Sequence, residues 1–436
     1  MQFPSDDSRS RRLNQRAQRV LPGGNTRTTV FMKPYPIYAA YGKGCRVWDV
    51  DGVERIDCTN NFTAAIHGYA HPELIRAAQS QLNLGTAFGL PTLSEIELAE
   101  LLVERVASVE HCRFVNSGTE AVMSAIKAAR AYTGKPKIAK CEGAYHGTYD
   151  YAEVSLDSQP GAWGAEAPAS IAYAAGTPQA VMDDVIVIPF NQTERAVEIL
   201  RAHASELAGI LVDPMPHRAG LVPADPGYMT ALREVASECR ALLIVDEVIA
   251  FRLGFGGAQP FWNVAADLTV FGKIIGGGFP VGAVGGRRDV MQVFDPSHGK
   301  PQLPQGGTFS ANPMSMRCGL AAMRLLQPDS FQQLAALGEQ MRAGISAAFR
   351  RTRLAGQTTG MGSLLKIHFT DTSITDYRSA LPTAEMKQKS ERLSALLLNE
   401  GVLLGSSGLM ALSTPMTSGD ADQIISAVER ALQRLL

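Results

Sequence analysis

The sequence has no excess of either charge and no long apolar run. Its 436 residues contain 41 Lys and Arg against 42 Asp and Glu, a balance that argues against nucleic acid or an anionic membrane as the main partner. No stretch approaches the roughly 18 uncharged apolar residues of a membrane span, and the polar first twenty residues lack the apolar centre of a signal peptide. We therefore expect a cytoplasmic protein whose partners are small molecules.

Cysteine pairs and the common nucleotide-binding loops are also missing. The 6 cysteines lie far apart without a CxxC pair, which indicates neither a zinc site nor a disulfide framework. No GxxxxGK[ST] motif occurs and no GxGxxG follows a strand, which disfavours a P-loop enzyme and a dehydrogenase. His67 and His71 lie four residues apart, but Gly68 and Pro72 interrupt the helix that would let them share a metal. No metal site is expected.

What remains is the composition of a globular enzyme, with 45% hydrophobic and 19% charged residues. From about residue 94 to 320, short β-branched runs alternate with stretches of helical period. This alternation predicts an α/β fold with a mostly parallel sheet wrapped by helices. The expected strands are residues 113–115, 138–141, 185–188, 210–212, 242–245 and 268–271.

The two ends of the chain differ from this middle part. Residues 45–50 and 55–57 flank an Asp-Gly pair, which predicts a small hairpin. We expect residues 1–65 and 326–436 to form a smaller α+β domain and residues 66–325 to form the large one. Residues 158–179 are rich in Ala, Gly and Pro, so they predict a long loop of the kind that often covers an active site.

Ligands of open parallel sheets bind beyond the carboxyl ends of the strands. The residues in those positions are Ser117, Gly118, Thr119, Tyr145, His146, Asp246 and Lys273. A Ser-Gly-Thr turn at a helix start offers N–H groups, hydroxyls and the positive end of the helix dipole to a phosphate. Taken alone, Ser117 or the preceding Asn116 predicts no more than a helix cap, with Gly134 as the helix stop.

Lys273 stands between an apolar run and a group of glycines. A lysine shielded from water loses part of its preference for charge and becomes an amine nucleophile, able to form a Schiff base with an aldehyde. A single lysine is more often a surface residue, and a single tyrosine more often packs. The ordered set favours pyridoxal 5′-phosphate (PLP) instead, with its phosphate on residues 117–119, its ring under Tyr145 and its pyridine nitrogen paired with Asp246.

These residues resemble the class III aminotransferases, which are fold type I PLP enzymes, and within them the glutamate-1-semialdehyde aminomutase and β-amino-acid aminotransferase branch. The resemblance covers nearly the whole chain and rests on "FVNSGTEAVMSAIKAAR", "YHG", "IVDEV", "DLTVFGKIIGGGFPVGAVGGRRDVM" and "GGTFSANP". It implies that Lys273 is the Schiff-base lysine and that Asp246 is the partner of the pyridinium nitrogen. It also implies that Val248 packs on the ring face opposite Tyr145, with His146 among the cofactor-binding residues.

The same resemblance implies a homodimer with shared active sites, because family members bind the phosphate with the Gly-Thr turn and with a threonine of the other subunit, here Thr308. In "LPGGNTRTTVF", Arg27 matches the arginine that meets the substrate carboxylate in β-amino-acid aminotransferases, although a surface role fits the residue equally well. Asp213 stands where the family has a glutamate, so its role is open.

Two activities compete within this branch. The glutamate that the aminomutase carries near its C-terminus is missing here, and "AAGTP" replaces its Ser-Pro-Gly stretch. The second arginine of some β-amino-acid enzymes is missing too. We therefore expect an aminotransferase that moves an amino group from a carboxylate-bearing amino acid, β-amino acids included, or an amine to an α-keto acid. The alternatives are intramolecular transfer, as in the aminomutase, and a non-catalytic PLP-fold binding protein.

Overall fold

The computed structural model describes residues 2–165 and 167–436. The strands are β1 (Ala39–Lys43), β2 (Arg46–Asp49), β3 (Glu54–Asp57), β4 (His111–Val115), β5 (Lys137–Cys141), β6 (Val185–Ile188), β7 (Leu207–Val212), β8 (Leu242–Asp246), β9 (Leu268–Gly272), β10 (Gly282–Gly286), β11 (Gln357–Thr359), β12 (Leu364–His368), β13 (Val402–Leu403) and β14 (Leu409–Ala411).

The helices are α1 (Arg9–Ala17), α2 (Asn60–Thr63), α3 (Pro72–Leu82), α4 (Leu93–Arg105), α5 (Gly118–Thr133), α6 (Asp150–Glu153), α7 (Gln179–Asp183), α8 (Thr193–Ala202), α9 (Pro226–Glu238), α10 (Gln259–Trp262), α11 (Arg288–Met291), α12 (Pro313–Leu325), α13 (Pro328–Thr352), α14 (Tyr377–Ala380), α15 (Ala384–Asn399) and α16 (Ser418–Gln433). Short 3-10 helices cover Pro22–Gly24, Thr28–Val30, Pro160–Ala162, His217–Ala219, Ala250–Leu253, Lys273–Gly276 and Gln292–Phe294.

The chain divides into two compact units. The smaller unit contains residues 1–72, 332–371 and 382–436, and the larger contains residues 73–331 and 372–381. The domain boundaries expected after residues 65 and 325 stay a prediction, because compact packing does not test whether a segment folds independently. No helix in the described part of the chain is both long and apolar enough to cross a membrane.

The larger unit is built on a seven-stranded sheet with the order β4-β10-β9-β8-β7-β5-β6. The neighbours from β9 to β6 are all parallel, whereas β10 runs antiparallel to β9 and to β4. Strands β6 to β9 are buried along their whole length, as expected for strands covered on both faces. The α/β fold and its six expected strands are confirmed, with strand bounds that differ by up to three residues.

The sequence does not predict strand β10. Three of its five residues are glycine, a composition that disfavours a strand. The structure shows why glycine is needed there: a Cβ on Gly282 would lie 2.0 Å from the carbonyl oxygen of Ser117, and one on Gly286 would lie 2.2 Å from that of Asp267. These two glycines therefore let β10 pass between its neighbours.

The smaller unit contains two sheets, with the orders β1-β2-β3-β13 and β11-β12-β14. Strands β2 and β3 pair antiparallel, with Trp48 opposite Glu54, so the predicted hairpin is confirmed. Strand β13, from the C-terminal part of the chain, lies parallel to β3. The two ends of the sequence therefore share one sheet.

Helix α2 of this unit is a left-handed turn. Asn60, Asn61, Phe62 and Thr63 have φ values of 56°, 44°, 54° and 76°. A left-handed conformation costs an L-residue roughly 1–2 kcal/mol, because Cβ approaches the following carbonyl oxygen. Four such residues in succession are a substantial local strain that surrounding contacts must offset.

The predicted loop at residues 158–179 is confirmed as largely irregular over residues 158–165 and 167–179, with the short helix Pro160–Ala162 near its start and α7 at its end. Residue 166 lies outside the described residues. Ser155 Oγ donates to the Ala169 carbonyl at 2.6 Å, and Ser170 Oγ donates to the Val185 carbonyl at 2.6 Å. The loop is thus attached to the larger unit at two points. That it covers an active site stays a prediction.

Gly282→Ala tests the packing of β10. The new methyl group collides with the Ser117 backbone, so we expect a loss of about 1–3 kcal/mol in the free energy of unfolding, typical of overpacking, measured by urea denaturation. Gly161→Ala is the control, because a Cβ there meets no atom within 4 Å. Equal stabilities of the two variants would contradict the assignment.

Candidate functional site

Three strand ends of the larger unit meet around the side chain of Val248. A Cβ built on Gly118 would lie 3.1 Å from Val248 Cγ1, and one built on Gly272 would lie 3.3 Å from the same atom and 3.6 Å from Gly118 Cα. Gly118 begins α5 after β4, Val248 follows β8, and Gly272 ends β9. The absence of side chains at the two glycines therefore brings Lys273, the helix start and the end of β8 together.

The turn after β4 is a capped helix start. Ser117 is the N-cap of α5 and its Oγ accepts from Glu120 N at 3.2 Å, while the Glu120 carboxylate accepts from Asn116 N at 2.8 Å. Of the two residues proposed from the sequence, Ser117 is thus the cap, and the predicted stop at Gly134 is confirmed, with φ of 70°. The first N–H groups of a helix lack intrahelical partners and favour an anion.

The segment after β5 reaches the same helix start. Thr119 Oγ1 accepts from Thr148 N at 3.2 Å, and a Cβ on Gly147 would lie 2.5 Å from Thr119 Oγ1. Gly147 has φ of 89°, a conformation that favours glycine. The "YHG" stretch and the Ser-Gly-Thr turn therefore belong to one site.

Asp246 and His146 are joined by a buried hydrogen bond. His146 Nδ1 lies 2.7 Å from Asp246 Oδ2, and Asp246 Oδ1 accepts from Val248 N at 2.9 Å. Burial lowers the pKa of His146, although the bond to Asp246 opposes this shift. We therefore assign a neutral imidazole whose Nδ1–H donates to the carboxylate. Its Nε2 is buried without a hydrogen-bond partner among the described residues.

The adjacent carboxylate, Glu247, serves a different part of the fold. It accepts from Ala258 N at 2.7 Å and from Gln259 N at 3.2 Å, at the start of α10, and from Gln259 Nε2 at 2.9 Å. Burial raises the pKa of Glu247 to about 7. Only Asp246 of this Asp-Glu pair thus faces the segments that carry His146 and Val248.

Lys273 follows β9 directly and is partly buried. Its φ of 51° is unusual for a residue with a side chain. Burial lowers the pKa of Lys273, the negative charges of Asp246 and Asp213 raise it, and the positive charge of Arg252 lowers it again. Burial dominates, which favours the neutral amine.

Asp213 follows β7, the strand beside β8. It is 4% exposed, and its Oδ1 accepts from Met215 N at 2.8 Å. Burial and the neighbouring charge of Asp246 raise the pKa of Asp213 well above its usual range. Burial therefore favours the protonated form of Asp213, in contrast to an ordinary aspartate.

Tyr145 and Thr308 are less constrained. The Tyr145 ring lies edge-on to His217, with 5.8 Å between the ring centroids.

Thr308 lies on an exposed turn in which Ser310 N donates to the Gly307 carbonyl at 3.0 Å. A Cβ on Gly307 would lie 3.7 Å from Asn116 Nδ2. Within the described chain Thr308 makes no side-chain hydrogen bond, so its predicted role remains untested.

Arg27 belongs to the smaller unit and is exposed. Its Nη1 donates to Asn61 Oδ1 at 3.0 Å, and its Cζ lies 5.7 Å from the centroid of the Phe62 ring. Both partners lie in the left-handed turn α2.

Sequence reasoning missed two residues near the predicted site. Arg252, 1% exposed, contributes a positive charge near Lys273, and His217 packs on Tyr145. Neither lies in a recognisable motif, because both lie in short 3-10 helices after strand ends, and the path of such short segments depends on tertiary packing. Among the described residues, no cluster of three or more His, Cys, Asp or Glu side chains could hold a metal ion.

The model of the family "Aminotransferase class-III" matches residues 30–432. The chain belongs to the class III aminotransferases. Members of this family are PLP-dependent enzymes of fold type I, so the predicted family, fold and cofactor are confirmed. The site residues assigned from the resemblance stay predictions.

Among its relatives, this class III aminotransferase is 39% identical over 430 residues to a glutamate-1-semialdehyde 2,1-aminomutase of Methanosphaera stadtmanae, covering 98% of this chain and 99% of the relative. It is 50% identical to an omega-transaminase from Sphaerobacter thermophilus, with a TM-score of 0.96 and 98% of each chain covered. It is 34% identical to a β-phenylalanine aminotransferase from Variovorax paradoxus, with a TM-score of 0.87, covering 97% of this chain and 93% of that one.

Asp213→Asn tests whether the Asp213 carboxyl is protonated in the folded protein. A folded-state pKa above the usual 3.8 means that the folded protein binds a proton that the unfolded chain releases, so Asp213 costs stability increasingly as pH rises towards the folded value. The amide removes this cost and keeps an oxygen for Met215 N. We expect the variant to be more stable, by an amount that grows by about 2–3 kcal/mol between pH 5.5 and pH 8. Urea denaturation of the cofactor-free protein measures this, and a pH-independent difference would contradict the assignment.

Proposed function

We propose that this enzyme transfers an amino group between two molecules, from a carboxylate-bearing amino acid, with β-amino acids among the donors, or an amine to an α-keto acid. The observation that carries the proposal is the meeting of three strand ends around Val248, which gathers a capped helix start, a buried Asp-His pair and a partly buried lysine. These are the parts that PLP requires: an anion site, a carboxylate for the ring nitrogen and an amine nucleophile.

Several residues of this site would contact the cofactor. The first turn of α5, with Ser117, Gly118 and Thr119, would hold the phosphate. Val248 would contact one face of the ring and Tyr145 the other. The buried His146 Nε2, which lacks a partner in the described chain, is an acceptor available to a donor of a bound molecule.

Each side chain has a separate task. Bound PLP supplies an electron sink for the bond that breaks at the substrate carbon. Asp246 would pair with the ring nitrogen and hold its proton, and His146 donates to Asp246 Oδ2, which keeps that carboxylate oriented. Lys273 Nζ, as a neutral amine, would accept the proton that leaves the substrate carbon and would deliver it to the cofactor carbon. Burial lowers the pKa of Lys273, which favours its role as a base.

Two further roles complete the proposal. Arg27 binds the donor carboxylate, because a guanidinium matches a carboxylate with two parallel N–H groups. The protein is a homodimer in which Thr308 of one subunit contacts the phosphate bound by the other. In support, Thr308 and its neighbour Phe309, 59% exposed, lie at the surface of the single chain.

The aminomutase reaction is the second candidate. It is favoured by the curated relative at 39% identity that carries this name. Transfer between two molecules is favoured by the more similar omega-transaminase at 50% identity and by the missing aminomutase glutamate. A non-catalytic binding role fits less well, since binding alone does not require a lysine nucleophile beside Asp246.

The test is a spectroscopic cycle with the PLP-loaded protein. We expect a donor such as 3-amino-3-phenylpropanoate to bleach the visible absorption band, and added 2-oxoglutarate or pyruvate to restore it, as in a two-step exchange. Product from a β-amino acid should form only when the keto acid is present.

Lys273→Ala is the control, and we expect it to bind PLP yet fail to complete the cycle. Conversion of glutamate-1-semialdehyde without any acceptor, together with no response to amine donors, would instead support the aminomutase. A visible spectrum that responds neither to amine donors nor to glutamate-1-semialdehyde would contradict both the aminotransferase and the aminomutase hypothesis.

A further inference from the structure

The left-handed turn α2 is the most strained segment of the smaller unit. Its four successive residues with positive φ, none of them glycine, are Asn60, Asn61, Phe62 and Thr63. Elsewhere in the described chain, non-glycine residues with positive φ occur singly. Strained backbone of this kind persists only where the surroundings determine it, and it is concentrated at functional sites.

Buried contacts hold the turn in place. Asp57, 3% exposed, accepts from Thr59 N at 2.7 Å and from Asn60 N at 3.1 Å, and its other oxygen accepts from Tyr69 Oη at 2.7 Å. Asn60 Nδ2 donates to the Ala411 carbonyl at 3.1 Å. The start of the turn is thus attached both to its own strand end and to β14.

The turn presents two successive side chains to one cation. Asn61 Oδ1 accepts from Arg27 Nη1, and the Phe62 ring lies against the same guanidinium, at 3.0 Å and 5.7 Å respectively. In an extended chain, two successive side chains would point to opposite faces. The turn, unlike an extended chain, therefore lets both side chains reach Arg27.

Stability does not explain this arrangement. Arg27 and Asn61 are exposed and Phe62 is only partly buried, and contacts of exposed groups contribute little to folding. They cannot offset the strain of the turn. These two contacts instead restrict the conformations of the Arg27 guanidinium in the absence of a ligand.

We propose that the turn Asn60–Thr63 positions Arg27 for the donor carboxylate, with Asn61 and Phe62 as positioning residues that set the preference for carboxylate-bearing donors. Asn61 occupies one of the five N–H donors of the guanidinium and leaves the others for a carboxylate. Fixing a charged group before binding lowers the entropy lost on binding. This inference rests on the proposed role of Arg27.

Asn61→Gly is the main test, because glycine accepts the left-handed conformation and removes only the side chain. Asn263→Gly is the matched control: Asn263 is also exposed and left-handed, with φ of 48°, and lies in the other unit. Phe62→Leu removes the aromatic face, and Arg27→Gln removes the cation. Thermal unfolding and PLP content are measured for every variant.

The readouts are the kinetics of two donors and the binding of an unreactive acid. With 3-amino-3-phenylpropanoate, we expect Asn61→Gly to raise KM about five- to tenfold with kcat within about twofold. The comparison donor is 1-phenylethylamine, which lacks the carboxylate. The kcat/KM for 3-amino-3-phenylpropanoate divided by that for 1-phenylethylamine should fall by the same factor. Calorimetric binding of 3-phenylpropanoate to the PLP-loaded protein should weaken in parallel.

A double-variant cycle shows whether Asn61 acts through Arg27. We expect Asn61→Gly to have no further effect on carboxylate binding once Arg27 is Gln. If Arg27→Gln leaves the donor preference unchanged, the proposed role of Arg27 is wrong. If Arg27→Gln abolishes the preference but Asn61→Gly and Phe62→Leu behave like Asn263→Gly, the positioning role alone is wrong.

Discussion

The hydrogen bond between His146 and Asp246 organises the larger unit around its proposed chemistry. At 2.7 Å, with both residues almost wholly buried, it fixes the orientation of a carboxylate that has little contact with water. A buried carboxylate without such a partner would be expelled or protonated. Asp213, one strand away, shows that second outcome, because burial and the charge of Asp246 raise its pKa. The two aspartates thus have different partners, since Asp246 accepts from Val248 N and pairs with His146, whereas Asp213 accepts from Met215 N.

Small side chains determine how closely the other parts approach this pair. Gly118 and Gly272 both face Val248, and Gly282 allows β10 to cross over the carbonyl of Ser117. A methyl group on Gly118 or Gly272 would press on the Val248 side chain, and one on Gly282 would collide with the Ser117 backbone. The glycines of the larger unit are therefore as much a part of the site as the charged side chains, because they set distances that no flexible residue could set.

Most of the sheet was predictable because its central strands are buried on both faces and are rich in β-branched residues. Strand β10 was not, since Gly282, Gly285 and Gly286 carry no strand signal and the strand forms only between its neighbours. Lys273 and Asp246 were predicted from their positions after strands. The pairing of Asp246 with His146 was not, because 100 residues separate them. The turn α2 was also unpredictable: asparagine tolerates a left-handed conformation, but Phe62 and Thr63 adopt it only because tertiary contacts require it.

The most direct test of the account is the identity of the lysine that carries the cofactor. The protein loaded with PLP is reduced with borohydride and digested, and the pyridoxyl group is located by mass spectrometry. Lys140 provides a natural competitor, since burial lowers its pKa to about 8, although its Nζ donates to the Val154 carbonyl at 2.7 Å and to the Cys141 carbonyl at 3.2 Å. The account predicts a single pyridoxyl group on Lys273. A group on Lys140 or on any other lysine, with Lys273 unmodified, would contradict it.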